Sequence, residues 1–569
     1  MNKKFSFSAL ISLLGVGAGL YWAFFLRNTD SYYVVYLAVA LAGGLAWFRN
    51  RGRAFSRWEK GWAGVFAALL SCCVTLANGT LLDPYGQTLR PANRYYFLAG
   101  AVVLAGGFFL FWHILLFSGR LSQAAQGRPR KSAKVGFVCW ASLAIVYSLV
   151  LYTAYYPGVL TYDSIYQLRQ VLGLAAYTNH HPYFYTRFIG LLYQLGLALF
   201  GERNAAAALY SQVSILLMSG CFAYSVSSVY RFTSGKAWTI AAWACFLLMP
   251  YHILYSFAMW KDVFFAASVL LLTVSFYRCT RQDRSKWDML VFTLAAFLMC
   301  MTRSNGRIAL ALCLPLFGLL FFRSRKKLCV LLCAALAVGF LLNGPVLRYL
   351  QVPQPRMTES LSIPLQQVAR VITDGCPLTE EEEALISRVV DPEAVPEAYR
   401  SYISDPIKAI CDTAPIEEDP LSYARLYLGL LGKYPLKMLQ GWVDQTKGYW
   451  NGGYGYWHFP APFENDLGFS ITPPSPGAYK LFTAYERLFE NFPPLQLTLS
   501  IGLGSWLVVL CLYVGIAQKK RVRIFLPVPL LAVLATLLIA TPVYSEFRYA
   551  YSVFCTLPFL MAVTFGKTE

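Results

Sequence analysis

Charge is scarce in this sequence. Asp, Glu, Lys and Arg make up 14% of its 569 residues, where a soluble globular chain carries about 25%. That shortage excludes a water-soluble enzyme, a disordered scaffold and a nucleic-acid-binding domain. Histidine is rarer still, with five in the chain. There is no CxxC pair and no zinc-like Cys/His spacing. A P-loop and a Rossmann glycine fingerprint are also missing, so the common devices for gripping a nucleotide are absent.

What fills the chain is apolar: 57% hydrophobic residues and a mean hydropathy of +0.47. The apolar residues fall into runs of about 17 to 24, the length that crosses a bilayer as a helix. Candidate spans are 6–26, 32–48, 62–82, 96–117, 135–156, 206–228, 237–258, 262–279, 288–303, 307–322, 328–348, 496–516, 524–541 and 547–564. A further stretch, 183–200, reads either as a span or as a helix along the surface. The net charge of +20 sits in short clusters between spans, as in Arg49, Arg51 and Arg53, in Arg128, Arg130 and Lys131, and in Lys519, Lys520 and Arg521. Basic clusters collect on the cytoplasmic side. All of them do so only if 183–200 is a juxtamembrane or re-entrant helix. The expected fold is therefore an all-α polytopic membrane protein of about fourteen spans with both termini in the cytoplasm. Met1-Asn2-Lys3-Lys4 before the first span reads as a retained signal anchor.

Four parts are expected: a four-helix membrane module (1–134), a membrane core (135–348), a mixed, mainly helical extracytoplasmic domain (349–495) and a three-helix membrane segment (496–569). Thr379 and Glu382 have capping-box spacing ahead of a short helix. Tyr449-Trp450-Asn451-Gly452-Gly453 and the aromatic residues through Pro460 suit either stacking on a sugar or seating in the membrane interface. Of fourteen cysteines, only Cys376 and Cys411 fall in this domain. An oxidising compartment would allow them to pair.

The same topology gathers the sparse polar chemistry on the outer face. The loop 157–182 carries Tyr162, Asp163, His180 and His181. Lys261 and Asp262 open a span. Arg303, Asn305 and Arg307 stand in a tight turn, and Glu546 and Arg548 in another. Each has a plainer reading: Asp163 or Thr161 as a helix cap, Lys261 as a snorkelling chain, Asp262 as dipole compensation. Arginines are uncommon in outer loops, and anion binding would account for them. Few ionisable residues remain in span centres, which argues against an ion-coupled transporter.

These motifs carry a resemblance. Tyr156-Pro157-Gly158, Tyr162-Asp163-Ser164, Asn179-His180-His181-Pro182, Trp260-Lys261-Asp262, Arg303-Ser304-Asn305-Gly306, Ser362-Ile363-Pro364-Leu365-Gln366-Gln367 and Glu546-Phe547-Arg548-Tyr549 together resemble the GT-C superfamily of integral-membrane glycosyltransferases, and within it a bacterial group of DUF6020 type. The likeness covers about 135–565. It implies inverting transfer of a sugar from a polyprenyl-phosphate donor to a cell-envelope glycan, lipid or protein acceptor. Asp163 would then be the general base, and Lys261, Arg303, Arg548 and a histidine would face the phosphate. Many superfamily members have two adjacent acids in this loop. Here Ser164 follows Asp163, which leaves Asp262 as the candidate second acid and a divalent metal as an open question. The alternatives are a lipid-linked-saccharide flippase and a non-catalytic membrane subunit.

Overall fold

A computed structural model describes residues 17, 33–77, 94–121, 130–233, 236–453, 465–470 and 473–566. Among them the secondary structure is helical, with no strand and three isolated β-bridges. Apolar runs become helices because a backbone in hydrocarbon must satisfy its N–H and C=O groups within its own segment. The first set is α1 (Tyr33–Asn50), α2 (Arg57–Ala77), α3 (Arg94–Leu121), α4 (Ala133–Val150), α5 (Tyr162–Val171), α6 (Tyr183–Phe200), α7 (Arg203–Phe232), α8 (Ala237–Leu248), α9 (Pro250–Ser256), α10 (Lys261–Thr280), α11 (Lys286–Thr302), α12 (Ser304–Phe321) and α13 (Lys326–Leu341). The second is α14 (Ser362–Thr373), α15 (Glu380–Ser387), α16 (Asp405–Ile410), α17 (Pro420–Lys433), α18 (Pro435–Trp450), α19 (Pro476–Asn491), α20 (Ile501–Ala517), α21 (Val528–Ala540) and α22 (Phe547–Phe565).

Nine helices among the described residues are long and apolar enough to cross a membrane, or ten if α8 and α9, bent by 60°, make one span. The chain is a multi-pass membrane protein. The count is below the fourteen expected, for identifiable reasons. Segment 6–26, apart from Gly17, lies outside the described residues. Segments 288–303 and 496–516 give α11 and α20, each of 17 residues. Segment 547–564 gives α22, which packs on α10 and α20 and is buried along most of its length. Wrapped in protein rather than lipid, it tolerates Ser552, Thr556 and Thr564. Stretch 183–200 forms α6 against α5 and α7. With Arg187 and Gln194 along it, α6 is not among the helices apolar enough to span.

The polar region 349–495 folds into short helices, several opened by proline at a position whose N–H would be unbonded anyway. The capping box before α15 forms: Thr379 N–H donates to Glu382 Oε2 at 2.8 Å, and Glu382 N–H to Thr379 Oγ1 at 3.2 Å. Gln366 and Gln367 staple α14 to its neighbours, donating to the carbonyls of Arg400 and Met438 at 2.7 and 2.8 Å. Helix α18 runs into the membrane bundle, where Val443, Tyr449 and Trp450 join the core shared with the spans. Tyr449 and Trp450 are therefore packing residues and no sugar platform. Trp450 stacks on Trp442 with ring centres 5.7 Å apart. The rest of that aromatic stretch, 454–460, lies outside the described residues. Cys376 and Cys411 are both free, each packed in a different small cluster, so the disulfide is not formed.

Candidate active site

The site begins with two chain segments held side by side. Val159 N–H donates to the Phe257 carbonyl at 3.3 Å, and Met259 N–H to the Val159 carbonyl at 3.0 Å. Gly158 permits this approach: its φ is +133°, and a Cβ there would stand 2.1 Å from Ser211 Oγ. Thr161 then caps α5, its N–H donating to Ser164 Oγ at 3.2 Å. Its hydroxyl accepts the Trp260 indole N–H at 2.8 Å. Because Thr161 and Ser164 supply the cap, the Asp163 carboxylate is not needed for it. Instead Asp163 accepts a hydrogen bond from Arg548 Nη1 at 2.7 Å.

The other candidates assemble around this pair. Lys261 Nζ donates to His181 Nδ1 at 2.8 Å. An ammonium has only donors, so Nδ1 is the acceptor and the ring hydrogen sits on Nε2. Arg303 is paired with Asp262, and Arg548 Nε lies 3.8 Å from Glu546. Both guanidiniums approach the Tyr549 ring, at 4.5 and 5.2 Å from its centre. Asn179 ties the loop to the polar region, its N–H donating to the Pro353 carbonyl at 2.8 Å, and so brings Arg356 to the site.

These groups surround a cavity of about 610 Å³. Of the expected residues, Asp163, His180, His181, Lys261, Arg303, Asn305 and Arg548 line it. Asp262 does not; it is buried behind Arg303. Glu546 touches Arg548 outside the wall, and Tyr162 is exposed and no part of it. Arg307, Arg356, Glu359, Asp405 and Lys408 join the wall, giving six cations against three acids. Lys408 holds Glu359 and Asp405 at 2.8 and 2.7 Å, while Arg303 and Arg548 also meet Asp262 and Glu546 behind the wall.

Backbone dipoles add to this charge. Helices α5, α6, α10, α12 and α22 all begin at the cavity, and a helix N-terminus carries positive potential. The last turns of α11 and α21 oppose them. Burial works to raise the Asp163 carboxyl, but Arg548 and then Lys261 outweigh it and hold the group well below the usual carboxylate range. Burial, then the charge of Lys261, moves the His181 imidazole down and keeps it neutral. The wall thus carries more cations than acids, with Asp163 beside Arg548 and Lys261, a setting that favours a multiply charged anion such as phosphate. Among the described residues no three His, Cys, Asp or Glu side chains converge as metal ligands would. Asp163 and Asp262 each face their own arginine, so this donor set does not fit a divalent ion.

Residues 173–569 match the family of unknown function DUF6020, and the chain belongs to that family. The match starts ten residues beyond Asp163 and takes in the histidines, Lys261, Arg303 and Arg548. No curated protein matches the chain, and no solved structure does.

Proposed function

We propose that this protein is a glycosyltransferase of the GT-C kind, working at the extracytoplasmic face on a polyprenyl-phosphate-linked sugar. The observation that carries the reading is the cavity in which the Asp163 carboxylate is paired with Arg548 beside Lys261 and Arg303. In the reaction the acceptor oxygen attacks the anomeric carbon in line, Asp163 takes its proton, and the bond from that carbon to the phosphate oxygen breaks. The departing lipid phosphate gains charge, and Lys261, Arg303 and Arg548 stabilise it as preorganised cations do in a dry site.

The resting ion pair sets an order. Held by Arg548, Asp163 is too acidic to be an effective base. An arriving donor phosphate competes for Arg548 and offsets its charge, which raises the affinity of Asp163 for a proton. Donor binding thereby arms the base. Asp262 takes the part of a positioning residue, aiming Arg303 from behind the wall.

The test uses purified full-length protein in proteoliposomes with polyprenyl-phosphate-linked hexoses and cell-envelope acceptor. The expected result is release of polyprenyl phosphate together with sugar transfer, lost in D163N. Donor binding and its movement across the bilayer without any bond cleavage would favour a flippase instead.

A further inference from the structure

Met357 stands in the wall of two cavities. One is the charged cavity described above. The other, about 290 Å³, lies among α14, α16 and α17 and is lined almost wholly by carbon. The short helix α16 is the partition. Its Asp405 and Lys408 face the charged side, while Ile407 and the following Cys411 face the apolar side. The two tyrosines that α17 contributes turn their polar ends away: the Tyr423 hydroxyl donates to the Leu385 carbonyl at 3.1 Å, and that of Tyr427 to Gln367 Oε1 at 2.7 Å. What they leave in the cavity is ring surface.

We propose that this apolar cavity holds the hydrocarbon chain of the lipid phosphate whose headgroup occupies the charged cavity. The proposal rests on the reading that the site takes a lipid phosphate, and it assigns the tail to the polar region rather than to the spans. Three observations support that occupant. A cationic cavity and an apolar one meet at Met357, whose flexible side chain would swing aside for one lipid to reach both. The volume is about twice that of an apolar cavity known to hold benzene, room for about ten to twelve carbons. Helix α17 also carries exposed Leu421 and Leu428 away from the cavity, and α18 adds exposed Leu436 and Leu439. Such an apolar face on short helices seats them at the membrane surface, where a lipid chain is within reach.

The experiment measures binding of inorganic phosphate, butyl phosphate and decyl phosphate to the full-length protein in nanodiscs, with empty nanodiscs as the blank. Burial of six further methylenes predicts at least about 100-fold tighter binding of the decyl than of the butyl ester. The variants A424W and V368F fill the apolar cavity. They are expected to cut that ratio below tenfold while leaving inorganic phosphate affinity within twofold, which also shows that they fold. R548A should weaken all three probes together and keep the ratio. A ratio unchanged in both filling variants overturns the proposal and puts the tail elsewhere. Phosphate binding with no chain-length dependence also overturns it while leaving the charged site standing. Failure of the wild type to bind any of the three overturns both readings.

Discussion

Asp163 is the residue on which the chemistry turns, and its environment gives its signature. Its folded pKa lies below the unfolded value, so the charged form and the stability it brings are fully present above about pH 4. The charged form persists down to the lower folded value, while the stability declines progressively between about pH 4 and that value. The acid limb of kcat/KM, which reports the free enzyme, should therefore lie below the ordinary carboxylate range. The limb of kcat, which reports the donor-bound enzyme, should lie higher, because bound phosphate offsets Arg548. Coincident limbs would contradict the arming step. D163N should lower kcat by roughly 10²–10⁴-fold, the usual worth of a positioned base, with donor affinity preserved in a binding assay. At Gly158 the demand is steric. G158A puts a Cβ 2.1 Å from Ser211 Oγ at a φ of +133°, and a lower Tm with loss of turnover is expected, read by thermal unfolding beside the transfer assay.

At the scale of elements, the site is a meeting of helix starts. Lys261 opens α10, Arg303 precedes α12 and Arg548 lies in the first turn of α22. A polar residue at the end of an apolar run is visible in a sequence, which is why these residues could be singled out. Arg356 and Lys408 could not, because in a region where charge is common no spacing marks one cation over another. The Asn179 bond to Pro353 that delivers Arg356 is a long-range contact with no local trace. Helix α18 misled for the opposite reason: its polar, aromatic sequence looks exposed, yet from Gly441 onward it is largely buried against α20 and α21, with Gln445 and Tyr449 bonded inside. Asp262 tests the element-scale argument. D262N should raise the donor KM about tenfold or more, as expected when one partner of a buried pair is lost, with a smaller change in kcat, and D262E should restore part of it. A fall in kcat alone would mean that Asp262 acts on the reacting atoms.

For the whole molecule, apolar run length made the helical membrane class plain from the outset. It could not separate helices that face lipid from central ones such as α22. What joins the architecture to the proposed function is sidedness. Asp163, His180, Ser304 and Arg548 come from four separate stretches of chain, and all reach one cavity or its rim. The central claim is that this cavity opens outside the cell, opposite Arg130 and Arg284. The most direct measurement is labelling of a cysteine-depleted chain in intact cells with an impermeant maleimide, using H180C, S304C and R356C, with R130C and R284C as controls. The expected result is that the first three label in intact cells and that the controls label only after lysis. Protection of S304C beside labelling of H180C, or labelling of the controls from outside, would contradict it.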